Sequence, residues 1–193
     1  MAFMDPLPPE TTPELSETFD HFADILGFVP NSLLTMQRRP EIVKAFGTLT
    51  SAVMNPHGAV DPVTKRLLAH FASRAAGCQY CEAHSLIAAG ISDARQDPTG
   101  TQMAAAGISG LPQEKLDAIW EYQTSALYTD AERAALDFAL AAGSVPNGDD
   151  AGIMARLREH WSEEQVVQIL GAVSLYGFLN RWNDSMATEI EPA

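Results

Sequence analysis

Both cysteines of this 193-residue chain stand two residues apart, in Gly77-Cys78-Gln79-Tyr80-Cys81-Glu82-Ala83-His84, with an imidazole directly behind them. Such a pair has three uses. It can close a small disulfide and exchange it with a thiol, supply half of a zinc site, or act as two small buried hydrophobes. The run after Cys78 reads as a helix that begins at the cysteines and stops at Gly90, a well-placed C-terminal cap. Cys81 then lies in a first turn, where free backbone N–H groups and the positive end of the helix dipole favour thiolate over thiol. A free thiol of pKa about 8.5 is only about 3% ionised at pH 7, so this help matters. His84, three residues on and with its Cβ about 5–6 Å away, is placed to take or return the thiol proton. Zinc would need Cys78, Cys81 and His84 together with a fourth ligand, for which Glu82 and His70 are the nearby choices.

The elements that must position these residues are helical. Asp61-Pro62 is an N-cap followed by a first-turn proline, and it opens a helix to about Ala76. Leu67, Leu68, Phe71, Ala72 and Ala75 form its apolar stripe. Arg66, His70, Ser73 and Arg74 form a polar stripe that is either solvated or lines the cysteine pocket, with His70 passing protons and an arginine favouring the thiolate. Upstream, Thr12-Pro13-Glu14 starts a helix that ends at Gly27 and carries Phe19, Phe22, Ile25 and Leu26 as core; short helices follow at Ser32–Gln37 and Glu41–Met54. His21 reads as surface. Residues 92–110 look like broken helical linker, and Leu111-Pro112 leads a helix through Leu116, Ile119, Trp120 and Gln123. Thr129-Asp130-Ala131-Glu132 and Ser162-Glu163-Glu164-Gln165 are capping boxes, the first ahead of a helix ending near Gly143 and the second ahead of a long final helix. Asp149 and Asp150 fit a helix N-terminus. Asn180-Arg181-Trp182-Asn183-Asp184 reads first as a solvent-facing helix end and second as a pocket or subunit contact.

No run alternates with period two, so the fold is predicted to be all-α. Laying Asp61 on Asp130, and Gly90-Ile91-Ser92 on His160-Trp161-Ser162, shows an internally repeated helical unit. The expectation is a single domain over 1–193, with a half at 1–110 carrying the cysteines and a scaffold half at 111–193 without any.

Composition narrows the function. A hydrophobic content of 46% supports a sizeable core, and 12 basic against 25 acidic residues give a net charge of −13. That balance argues against nucleic acid and anionic membranes as partners. The longest apolar run, Val166 to Leu179, is too short to span a bilayer. Met1-Ala2-Phe3-Met4-Asp5-Pro6 lacks the pattern of a secretory signal, so the expected compartment is the cytoplasm, where a stabilising disulfide framework is out of place. There is no Gly-rich phosphate loop and no H-E-x-x-H helix, so neither an organic cofactor nor a metal is expected.

Gly77-Cys78-Gln79-Tyr80-Cys81 followed by a histidine, behind a helix opening Asp61-Pro62, resembles the carboxymuconolactone decarboxylase and alkylhydroperoxidase D-like (AhpD-like) proteins. The likeness covers about residues 40–92 well. It implies an all-helical fold with a repeated unit, a homo-oligomer, and a peroxidase in which Cys81 attacks a hydroperoxide, Cys78 resolves the sulfenic acid and His84 relays protons. The partners implied are a hydroperoxide and a thiol reductant. The alternatives are a zinc-binding or redox-sensing module and a lactone-type decarboxylase using His84 or His70. Two positions depart from the family pattern. Its histidine usually falls where Ser85 stands, and its relay glutamate falls where this chain has Arg66, which cannot accept a proton.

Overall fold

The computed structural model describes residues 1–88 and 111–191. Among them are nine α-helices, three short 3-10 turns and no strand, as the sequence predicts. The helices are α1 Ser16–Leu26, α2 Asn31–Met36, α3 Pro40–Val53, α4 Pro62–Ala76, α5 Gln79–Ala88, α6 Gln113–Asp117, α7 Asp130–Gly143, α8 Ala151–His160 and α9 Glu163–Met186.

Local chemistry explains most boundaries. The Asp61 carboxylate accepts from the Thr64 N–H at 2.8 Å, and Pro62 occupies the first helical turn, where its missing N–H costs nothing. Both capping boxes are complete, with Thr129 and Glu132 closing the start of α7 and Ser162 and Gln165 the start of α9. Asp150 caps α8. Gly27 ends α1 at φ +84°, a conformation a Cβ disfavours. Gln165 and Gln168 of α9 tie down the loop before α4: Gln165 Nε2 donates to Ala59 O at 3.0 Å, and Gln168 Oε1 accepts from Val60 N at 2.6 Å. A Cβ on Gly58 would stand 1.9 Å from Gln168 Nε2, so a larger residue there would displace the side chain that bonds Val60.

The departures from expectation are local. Residues Pro13–Leu15 form a separate 3-10 turn before α1, and Thr12 makes no side-chain cap. The helix predicted from Leu111 breaks into α6 and a 3-10 turn at Ile119–Glu121. The cap of α7 is Thr129, so the register that matches Asp61 with its counterpart is one residue shorter than a match with Asp130. Gly90-Ile91-Ser92 and the linker lie outside the described residues.

Helix α4 is the hub, packed against α5, α7 and α9. Its residues Thr64 to Ser73 are buried without a break. On one side Leu67, Leu68, Phe71 and Ala72 join α7, α8 and α9 in the main core; α1, α2 and α3 gather Phe19, Phe22, Leu33 and Phe46 into a second core. Between them lies a small cluster of Ala69, Cys78, Tyr80, Cys81 and Tyr176. A helix enclosed on all sides cannot keep a solvated stripe: Arg66, His70 and Ser73 are buried, and only Arg74 of that stripe reaches solvent.

Candidate active site

Gly77 ends α4 in the left-handed region at φ +80°, and this turns the chain sharply enough for Cys78 N to donate back to Ser73 O at 3.1 Å. Cys78 then stands where a helix N-cap stands. Its carbonyl accepts from Glu82 N at 2.9 Å and its sulfur from Cys81 N at 3.4 Å. Cys81 is thereby fixed in the first turn of α5. The two sulfurs are 2.8 Å apart with both thiols free and buried, and Cys78 is the donor of the pair. Asn183 Nδ2 on α9 donates to the Cys81 sulfur at 3.4 Å. The hydrogen bond from Cys78 to Cys81, reinforced by burial, pushes the Cys78 thiol far above the ordinary range. Cys78 therefore holds its proton.

His84 is clamped from several sides. Its Nδ1 donates to the Tyr80 carbonyl at 2.8 Å, the Tyr80 ring stacks on it at 3.9 Å between centroids, and Phe28 meets it edge-on at 5.6 Å. Its Nε2 lies 2.9 Å from Glu191 Oε2, slightly off the line of a good hydrogen bond. Glu191 comes from the C-terminal segment after α9. Its Oε1 accepts from Tyr80 OH at 2.8 Å and from Asn31 N at 2.5 Å. Burial pushes the Glu191 carboxyl upward, but the hydrogen bond and charge of His84 and the Asn31 N–H outweigh it and hold Glu191 below the usual glutamate range.

The other predicted residues divide. His70 is buried, and its Nδ1 lies 3.1 Å from Ser85 Oγ, which donates to Glu82 O at 2.7 Å. Burial lowers its pKa, so the ring is neutral. It does not line the cavity beside Cys81. Arg66 does line it, and Nη1 donates to Tyr176 OH at 3.5 Å. Glu82 turns away to Arg74 at 3.7 Å, and among the described residues no group of three or more His, Cys, Asp or Glu side chains gathers as a metal site. The zinc arrangement of Cys78, Cys81 and His84 is not assembled, since both His84 nitrogens face Tyr80 and Glu191.

The cavity encloses about 630 Å³ including its open mouth. Cys81, His84, Arg66 and Asn183 line it, Cys78 does not, and the remaining wall is mostly apolar, with Phe22, Leu33, Phe46 and Leu175 among its members. Asn183, which lines the cavity, and Glu191, which faces His84, were not among the candidate site residues named from the sequence. Asn183 belongs to a segment read first as a solvent-facing helix end, yet Asn180 and Asn183 are 4% and 2% exposed. Glu191 carried no signal at all, because it lies 107 positions from His84 (191 − 84) and outside any motif.

Known proteins share the fold that carries this site. No family model matches the chain. The crystal structure of the debrominase Bmp8 superposes with a TM-score of 0.81 at 34% identity over 97% of this chain and 91% of that one; a cysteine-to-alanine variant of Bmp8 in complex with 2,3,4-tribromopyrrole gives 0.80 at 33%. An AhpD-core peroxidase-related protein from Ralstonia eutropha JMP134 gives 0.66 at 24% identity over 96% of this chain and 87% of that one, a likeness of fold. The uncharacterized protein YnjA of Escherichia coli K12 is 25% identical over 127 residues, and the match spans 66% of this chain but only 60% of YnjA. With a third of its residues shared along nearly all of the debrominase, and with the helical fold of the AhpD-core proteins, the chain belongs to the carboxymuconolactone decarboxylase and alkylhydroperoxidase D-like family.

Proposed function

We propose that this protein is a thiol-dependent reductase in which Cys81 attacks a small electrophile and Cys78 resolves the product as a disulfide, with a hydroperoxide as the oxidant. One observation carries the assignment: of the two sulfurs, only Cys81 faces the cavity, while Cys78 waits 2.8 Å behind it. The Cys81 thiol gives its proton to the His84–Glu191 pair, with His84 Nε2 leaving Glu191 to reach it; the thiolate takes the terminal peroxide oxygen, the O–O bond breaks, and the alcohol leaves with that proton. Cys78 then attacks the sulfenic acid, releasing water and forming the Cys78–Cys81 disulfide, which an external thiol reduces. The Cys81 N–H on the Cys78 sulfur and the Asn183 amide on the Cys81 sulfur supply part of the stabilisation that the developing thiolate and disulfide need. Arg66 moves no proton, so the carboxylate work falls to Glu191, which faces His84 from the opposite end of the chain.

A second reading has its own support in the 34% identity to a debrominase. The same dithiol can reduce a carbon–bromine bond: two thiols and R–Br give R–H, a disulfide, bromide and a proton. An apolar cavity suits an apolar organohalide as well as an organic hydroperoxide. The test is turnover by purified, chelator-treated protein with a dithiol, following hydroperoxide loss and, separately, bromide release from a brominated pyrrole. Hydroperoxide loss that disappears in Cys81→Ser supports the first reading. Bromide release without hydroperoxide loss replaces it with the second, and neither activity in the intact protein rejects both.

A further inference from the structure

Arg66 is the cavity's unbalanced charge. It is 9% exposed, and among the described residues Nε has no hydrogen-bond partner and Nη1 reaches only the Tyr176 hydroxyl. Among the described residues no carboxylate lies within 4 Å of its guanidinium, whereas the imidazole on the wall, His84, faces Glu191. Lys65, the next residue, brings no relief. It is itself buried, and its ammonium donates to Val53 O at 3.4 Å and Asn55 O at 2.5 Å. A guanidinium keeps its proton at physiological pH, and a buried charge without a partner is among the costliest arrangements in a protein. Such a group is tolerated where something that binds completes it.

We propose that the cavity takes a small, largely apolar molecule carrying one anionic group, and that Arg66 is the counter-ion of that group. This rests on the reading that the Cys81 cavity is the substrate site. The walls are mostly apolar, as those of small-molecule sites are. Asn183 Oδ1 and Thr50 Oγ1, both on the wall, also have no partner and offer places for a second polar atom of the ligand. The surrounding field works against anions, since 25 acidic residues outnumber 12 basic ones. Any preference for an anion is therefore local, and added salt, which screens distant charges more than buried contacts, leaves most of it in place.

Binding calorimetry on Cys81→Ser protein tests this without turnover, with benzoate and its neutral isostere benzamide as probes at low and high salt. The expected result is benzoate at least about tenfold tighter than benzamide, a preference lost in Arg66→Met and partly kept in Arg66→Lys. Equal affinity for the two probes, no binding of either, or a preference that survives Arg66→Met overturns the proposal. The same pair of probes on reduced protein with Cys81 intact adds one outcome: a preference seen in Cys81→Ser but lost when the Cys81 thiolate is present would make that thiolate the counter-ion, and overturns it too. The comparison of probes on the Arg66-containing protein stands even if Arg66→Met fails to fold. Selective binding without any turnover would sink the thiol-reductase reading and leave this one; turnover without selectivity would do the reverse.

Discussion

The helix pairs α4–α5 and α7–α8 start alike and are put to different uses. Each opens on a side-chain cap, Asp61 for α4 and Thr129 for α7, and each first helix runs through the interior. The α7 helix buries Ala134, Ala135, Leu136, Phe138 and Ala139, an apolar face on an apolar core. The α4 helix buries a comparable face and, on its other side, Lys65, Arg66, His70 and Ser73. The junctions differ too: Gly77-Cys78 turns directly into α5, while residues 144–150 carry the chain from α7 to α8 without a cysteine. One pair packs into the main apolar core. The other brings charged and polar groups into the interior, which is the arrangement a site would need.

This contrast can be broken from either side. The largest effect is expected at Cys81→Ser, which should lower turnover by at least about 10³-fold, about 4 kcal/mol, while leaving the melting temperature nearly unchanged. Cys78→Ser should instead stop turnover after one cycle. In the scaffold pair, Phe138→Ala removes a side chain that is 1% exposed and should cost about 3–5 kcal/mol in denaturant unfolding. If it left stability intact and abolished chemistry, the division of labour would be wrong.

Glu191→Gln comes next, at about 1–3 kcal/mol, because it leaves the His84 side of the pair without its charge. The pH dependence has a definite sign. Glu191 is held below the usual glutamate range, so its contribution is present above its unfolded value and is lost as pH falls through the lowered folded one. Hydrogen exchange of residues 187–191 should rise below about pH 4.3, and in Glu191→Gln that acid step should vanish. The smallest change is expected at Arg66→Met, where removing an unpaired buried charge should leave stability unchanged or raise it by about 1 kcal/mol in thermal unfolding. A loss of several kcal/mol there would mean that Arg66 is structural.

What the sequence revealed follows the range of the forces involved. Capping boxes, the Gly77 stop and the start of α5 at the cysteines are contacts within four residues, and their signals are local. The contact of Asn183 with Cys81 spans 102 residues and that of Glu191 with Tyr80 spans 111, so no spacing rule exposes them. Arg66 was visible as a departure from the family pattern, but its burial required knowing that α4 is packed on every side. The polar stripe looked equally fit for solvent, because a hydrophobic pattern records what one face prefers and says little about what later helices will cover.

The central claim is that Cys81 meets the oxidant and Cys78 resolves it. Reduced protein should be given one equivalent of an organic hydroperoxide, or of a brominated pyrrole on the second reading, and mapped by mass spectrometry with a sulfenic-acid trap. The account predicts a Cys78–Cys81 disulfide in the unaltered protein and, with the hydroperoxide, a trapped sulfenic acid at Cys81 in Cys78→Ser. Oxidation that begins at Cys78, or substrate consumed with both thiols still free, would contradict it.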